Sequence, residues 1–129
     1  MEILSKPSKL NLEEFALIKT HVLAGFNIVE NLSIPQRVKR IILEHHERLD
    51  GSGYPHHLKG DEIDILSQII SIADVTSAML ENRPYRVAHK IETVKEELIQ
   101  NAGIKYNPIM VDIVIDLMDQ QPEFFHAKA

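Results

Sequence analysis

His45-His46-Glu47-Arg48-Leu49-Asp50-Gly51-Ser52-Gly53-Tyr54-Pro55-His56-His57-Leu58-Lys59-Gly60 is the stretch on which the reading of this chain turns. Two adjacent histidines close an apolar helical run. A loop with three glycines and one proline follows from Asp50 to Gly60. Neutral imidazoles are good ligands for transition metals. Neighbouring side chains on a helix point about 100° apart, so one ion is rarely gripped by both histidines. Two ions a few ångströms apart take one histidine each, an arrangement that suits phosphoester hydrolysis. The alternative is structural, a histidine pair favoured at a helix C-terminus by the macrodipole. Spacing alone leaves both open.

Working upstream, Val38, Ile41, Ile42 and His45 form an apolar stripe. It starts after Ser33-Ile34-Pro35, where a proline does no harm, and the helix is expected to end near Arg48 or Leu49. Before it, Asn11 is a good N-cap with Glu14 three residues on. A helix from Leu12 to about Leu32 carries Phe15, Ile18, Val22, Phe26 and Val29 on one face. His21 and Gly25 lie beside that stripe, four apart. A lone histidine there is more often a partly buried core residue than a ligand, and Gly25 fits close helix packing. Pro7 argues against a helix across Met1 to Leu10.

Downstream, Tyr54 precedes Pro55 and is pushed toward an extended backbone. The expectation is a tyrosine held out by the loop, either as a ligand-facing lid or as a protein contact. Asp61 caps a short helical start at Glu62 to Asp64. A helix from Ile65 to Leu80 then carries apolar residues on nearly every face, so it is expected to be central and buried. Asp74 sits within it, and a carboxylate there is costly unless paired, hydrogen-bonded or bound to metal. Arg83 and Arg86 flank Pro84-Tyr85; guanidinium groups suit bidentate phosphate contacts, although a solvated turn is the plainer reading. An amphipathic helix from about Ala88 to Asn101 ends before Gly103. Asn107-Pro108 starts a last helix reaching about Asp119. Beyond Gln120 the chain is expected to fray, with Phe124-Phe125 free to dock. No β-strand signal, repeat or low-complexity segment is found. The fold class is all-α, a single bundle of about five main helices.

Composition narrows the function. A chain of 129 residues suits one domain with a real core. The net charge of -5 argues against general DNA affinity, so an anionic ligand needs a local basic site. There are no cysteines, which excludes disulfides, thiolate zinc sites and cysteine nucleophiles and fits a cytoplasmic protein. No apolar run approaches the roughly 20 residues of a membrane span.

The ordered pattern His-His-Glu-x-x-Asp-Gly-x-Gly-Tyr-Pro from His45, then Leu-x-Gly from Leu58, Ile-x-Ile-Ala-Asp ending at Asp74, and Arg83-Pro84-Tyr85-Arg86 resembles the HD-GYP family. That resemblance runs from about Leu4 to about Leu117. It implies an HD-superfamily helical fold and metal-dependent hydrolysis of cyclic di-GMP, a bacterial second messenger. It implies metal ligation by His21, His45, His46 and Asp74, with iron or manganese as the expected metal. Substrate would be held by Tyr54, Arg83 and Arg86. The loop is further linked in the family to diguanylate cyclase-type partners. The family's His-Asp dyad and the lysine after it belong upstream of Lys6-Pro7, a segment resembling the family's linker after the dyad helix. The chain is therefore expected to be an N-terminally truncated domain over 1-129, with 1-10 as linker and 121-129 as flexible tail. It would be inactive or incomplete alone, or else a non-catalytic nucleotide- or protein-binding module, and its uncovered face would favour self-association. Two positions depart from the family pattern: His57 stands where glycine is usual, which either alters the turn or, as the favoured reading, is a neutral surface change, and Ser77 replaces a frequent second aspartate. Neither His56 nor His57 is counted as a ligand.

Overall fold

Local chemistry places the helix starts. Asp64 accepts from the Leu66 amide at the head of one helix, and Asn107 accepts from Ile109 and Met110 at the head of another, with Pro108 in its first turn. The computed structural model describes residues 12–82, 84 and 87–125. Its helices are α1 (Leu12–Glu30), α2 (Gln36–Glu44), α3 (Ile65–Leu80), α4 (Ile91–Gln100) and α5 (Pro108–Gln120). Short 3-10 turns span Gly60–Glu62 and Pro122–Phe125. Among the described residues there is no β-strand, only two isolated bridges, Asp50 with Lys59 and Ala102 with Tyr106. None of the described helices is long and apolar enough to cross a membrane.

The packing has two parts. Helices α3, α4 and α5 close around Ile72, Leu80, Val94, Leu98, Tyr106, Val111 and Met118. Phe125 of the last turn packs against this core while Phe124 stays exposed. Helix α2 leans on α3 from one side, and α1 packs on α2. The α1 stripe reads correctly at Ile18, which is buried, and at Val22, Phe26 and Val29, which are half-buried. Lys39 of α2 is buried and donates from Nζ to the Glu30 carbonyl at 2.6 Å, satisfying an acceptor at the end of α1.

Three expectations are corrected. Helix α2 stops at Glu44, four residues short of Arg48, because the next residues supply acceptors to the loop. Helix α3 is not buried all round: Ile65, Leu66, Ile69, Ile70 and Asp74 are exposed. Its apolar residues exceed what α2, α4 and α5 cover, so one face is left to solvent. Gly25 makes no close packing contact; a Cβ built there meets nothing within 4 Å. The expected cap Asn11, the linker, and the tail beyond Phe125 lie outside the described residues.

Candidate metal centre and its loop

Helix α2 ends with His45 in a right-handed conformation, φ -66° and ψ -10°, and the chain then turns away. The two histidines come close although they are chain neighbours. Their rings lie 4.0 Å apart between centroids. One ligand atom each from His45, His46 and Asp74 falls within 4.8 Å of the others. Donors of one ion at about 2.0–2.2 Å per bond lie at most about 4.4 Å apart, so this spread is close to what a shared ion needs. The grouping makes a shared ion geometrically accessible to both histidines, an arrangement that helical spacing alone makes rare.

The donors fit a divalent transition metal. Nδ1 of His45 donates to the backbone carbonyls of Ile41 and Ile42, each at 3.1 Å. Carbonyls only accept, so the proton sits on Nδ1 and the lone pair is on Nε2. Such outer bonds orient a ligating imidazole. Burial, assisted by His45 and Arg48 and opposed by Asp74, pushes the His46 imidazole down to about 4. At neutral pH it is in the uncharged form that binds metal. Asp74 adds the one anionic oxygen donor. It is exposed, so the burial penalty expected for it is absent and its informative feature is its place beside the imidazoles.

The loop is tied down at several points. Glu47 is 2% exposed, and its carboxylate accepts from the His56 amide at 2.8 Å and the Leu58 amide at 3.0 Å. Arg48 donates to Ser71 Oγ of α3 at 2.8 Å and lies over the Tyr106 ring. The Leu49 amide donates to the Lys105 carbonyl, and Gly60 donates to Leu49. Gly53 is pressed against the start of the stretch: a Cβ there would sit 2.3 Å from the His46 carbonyl oxygen and 2.5 Å from the Arg48 nitrogen. Only glycine fits.

Tyr54 is not held out. Its amide donates to the His46 carbonyl at 3.2 Å, and its ring stacks on the His46 ring at 4.9 Å and 13°. The peptide bond to Pro55 is cis. Burial raises the Tyr54 phenol above its ordinary range. His57 adopts φ +53°, a left-handed conformation in which glycine is the easy choice. It is more than a neutral surface change. Lys19 Nζ donates to its Nε2 at 2.8 Å and its Nδ1 donates to the Gly51 carbonyl at 3.1 Å, tying the loop to α1.

His21 is exposed on α1 and is not among the three grouped donors. Ser77 is exposed one turn beyond Asp74 and donates to Glu81 at 3.4 Å. Arg83 and Arg86 lie outside the described residues. Sequence reasoning passed over Glu47 and Lys19. The signal for Glu47 was available: a loop rich in glycine leaves backbone amides needing acceptors, and an acid stands immediately before it.

A family model described as an HD domain matches residues 1–109. The chain belongs to the HD-domain family. A 3'3'-cGAMP-specific phosphodiesterase of Vibrio cholerae is 38% identical over 120 residues, covering 92% of this chain and 23% of the relative. A cyclic di-GMP phosphodiesterase of Thermotoga maritima is 40% identical over 117 residues, covering 89% of this chain and 32% of the relative. The chain thus spans less than a third of either relative's length. A crystal structure of a cyclic GMP-AMP specific phosphodiesterase of Vibrio cholerae superposes with a TM-score of 0.64 over 95% of this chain and 32% of that one. At 20% identity this likeness shows that the HD-domain fold is shared. The ordered HD-GYP motifs are consistent with these relatives.

Proposed function

We propose that this HD-domain chain carries the metal-binding core of a phosphodiesterase acting on a cyclic dinucleotide. The observation that carries the reading is the convergence of His45, His46 and Asp74 beneath a loop strapped to the same helix end. The relatives, named for cyclic di-GMP and 3'3'-cGAMP, support the ligand class. His45 through Nε2, His46 and Asp74 would hold the metal, with manganese or iron(II) as the proposed ion. When bound, such an ion polarises a phosphoryl oxygen and lowers the pKa of a water. The chain's own residues do the rest. Carbonyls of Ile41 and Ile42 fix the His45 tautomer. The partial burial of His46 keeps its proton off. Tyr54 walls the site on the loop side, which favours the ligand-facing reading of this residue over a protein contact. Arg83 and Arg86 are proposed for the phosphates on their chemistry alone.

Calorimetry with cyclic di-GMP and with 3'3'-cGAMP tests the reading. Binding is expected only when manganese is present, and it should weaken at least about tenfold in His46→Ala, since the ion supplies the main charge facing the phosphates. Equal binding with and without metal would overturn it.

We further propose that the polypeptide self-associates. Leu17, Leu23 and Ile28 of α1 and Ile65, Leu66, Ile69 and Ile70 of α3 are exposed, and large exposed apolar surfaces recruit partners. Sedimentation velocity should show concentration-dependent species above monomer. A monomer at every concentration would contradict this.

A further inference from the structure

The tyrosine of the loop is tied to one candidate metal ligand in two ways. Its backbone amide donates to the His46 carbonyl at 3.2 Å, and its ring lies nearly parallel to the His46 ring, 4.9 Å between centroids. Among the described residues no side-chain hydrogen bond holds the His46 ring, whereas its neighbour His45 is oriented by the Ile41 and Ile42 carbonyls. A ligating imidazole whose plane is not set by a bond must be set by packing, and a flat ring against it is a firm way to do so. The loop fixes that ring from both sides. Upstream, Gly53 sits against the backbone of His46 to Arg48, leaving no room for a Cβ. Downstream, the buried Glu47 carboxylate holds the amides of His56 and Leu58.

We infer that Tyr54 is a positioning residue for the metal centre, holding the His46 ring in its ligating orientation by stacking, in addition to any contact with substrate. This inference rests on the proposed metal site. It separates two roles that activity measurements merge. A tyrosine that touches only substrate leaves metal affinity unchanged when replaced. A tyrosine that orients His46 changes metal affinity through its ring and not through its hydroxyl.

The test is a cobalt(II) titration followed by visible absorption, on the wild-type chain, Tyr54→Phe, Tyr54→Leu and His46→Ala. Tyr54→Phe keeps the flat ring and is expected to bind within about twofold of wild type. Tyr54→Leu keeps apolar bulk but not the stack, and is expected to bind about tenfold more weakly, the low end of what loss of an orienting neighbour costs. If Tyr54→Leu does not fold by circular dichroism, Tyr54→Met takes its place with the same expected loss. Wild-type affinity in the folded non-aromatic variant overturns the inference, as does an equal loss in Tyr54→Phe. The underlying metal site fails in a different way: the wild type takes up no cobalt, or His46→Ala binds as well as wild type.

Discussion

Glu47→Ala is expected to destabilise the fold by about 2–4 kcal/mol, measured by urea denaturation. The carboxylate is 2% exposed and accepts from two loop amides at 2.8 and 3.0 Å. Alanine takes the acceptor from two part-buried loop amides, and an orphaned group costs up to about 1–3 kcal/mol where water cannot reach it. The truncation adds a cavity beside Ser71 and Tyr106, where a small void already exists between Glu47, Gln68, Lys105 and Asn107. A domain of this size holds only about 5–15 kcal/mol in total, so the change consumes a large part of it. Glu47→Gln separates the causes. One amide oxygen still accepts, but its NH₂ faces a backbone N–H, so its cost should fall between wild type and alanine. A change below 1 kcal/mol for alanine, on the scale of an ordinary surface substitution, would show that the loop is not held by this residue.

The second large effect is on turnover. A polypeptide of these 129 residues, supplied with manganese or iron(II), is expected to hydrolyse cyclic di-GMP at least ~10⁴-fold more slowly than a complete two-metal phosphodiesterase. The grouped donors are two imidazoles and one carboxylate. A two-metal mechanism needs ligands enough to fix both ions, one beside the attacking and one beside the leaving oxygen. Nowhere in the 129 residues is a histidine followed directly by aspartate, the pair that the HD-GYP resemblance leads one to expect among the ligands. Losing two catalytic interactions at roughly a hundredfold each gives the stated factor. Mixing the polypeptide with an HD-domain protein that keeps its own His-Asp pair but lacks its adjacent histidines tests whether a second polypeptide can supply such a pair. Fast turnover by the polypeptide alone, abolished by His45→Ala, would contradict the expectation.

The helical fold was legible because its signals are local. Asn107-Pro108 announces α5 by a side-chain cap and a preset φ, and Ile65 to Leu80 reads as one helix from end to end. Tertiary placement was less legible. The same apolar run that marks α3 reads as a helix buried on all sides, and nothing local says that Ile65, Leu66, Ile69 and Ile70 face solvent. The end of α2 was misplaced because propensity carries on through His45 to Arg48, whereas the loop's demand for acceptors stops it at Glu44. His45 and His46, which helical spacing sets apart, nevertheless have rings 4.0 Å from one another. Tyr54 was read as standing out because the Pro55 that follows favours extension. Its stacking on His46 is a contact across eight residues that no local rule encodes. His57 shows the reverse: φ +53° explains why glycine suits that position, and the bond to Lys19 shows what a histidine adds there.

The most direct test of the central claim is a manganese titration by calorimetry on the wild-type chain and on His45→Ala, His46→Ala and Asp74→Asn. Each variant removes one donor of the group whose atoms lie within 4.8 Å of one another. The wild type is expected to bind the ion, and each variant to bind it about a hundredfold or more weakly, beyond what loss of an outer-shell neighbour costs. Circular dichroism should report intact helices throughout, because Asp74 is exposed and the two histidines lie beyond the end of α2. A wild-type chain that takes up no manganese, or three folded variants that bind it as the wild type does, would contradict the claim that His45, His46 and Asp74 form a metal centre.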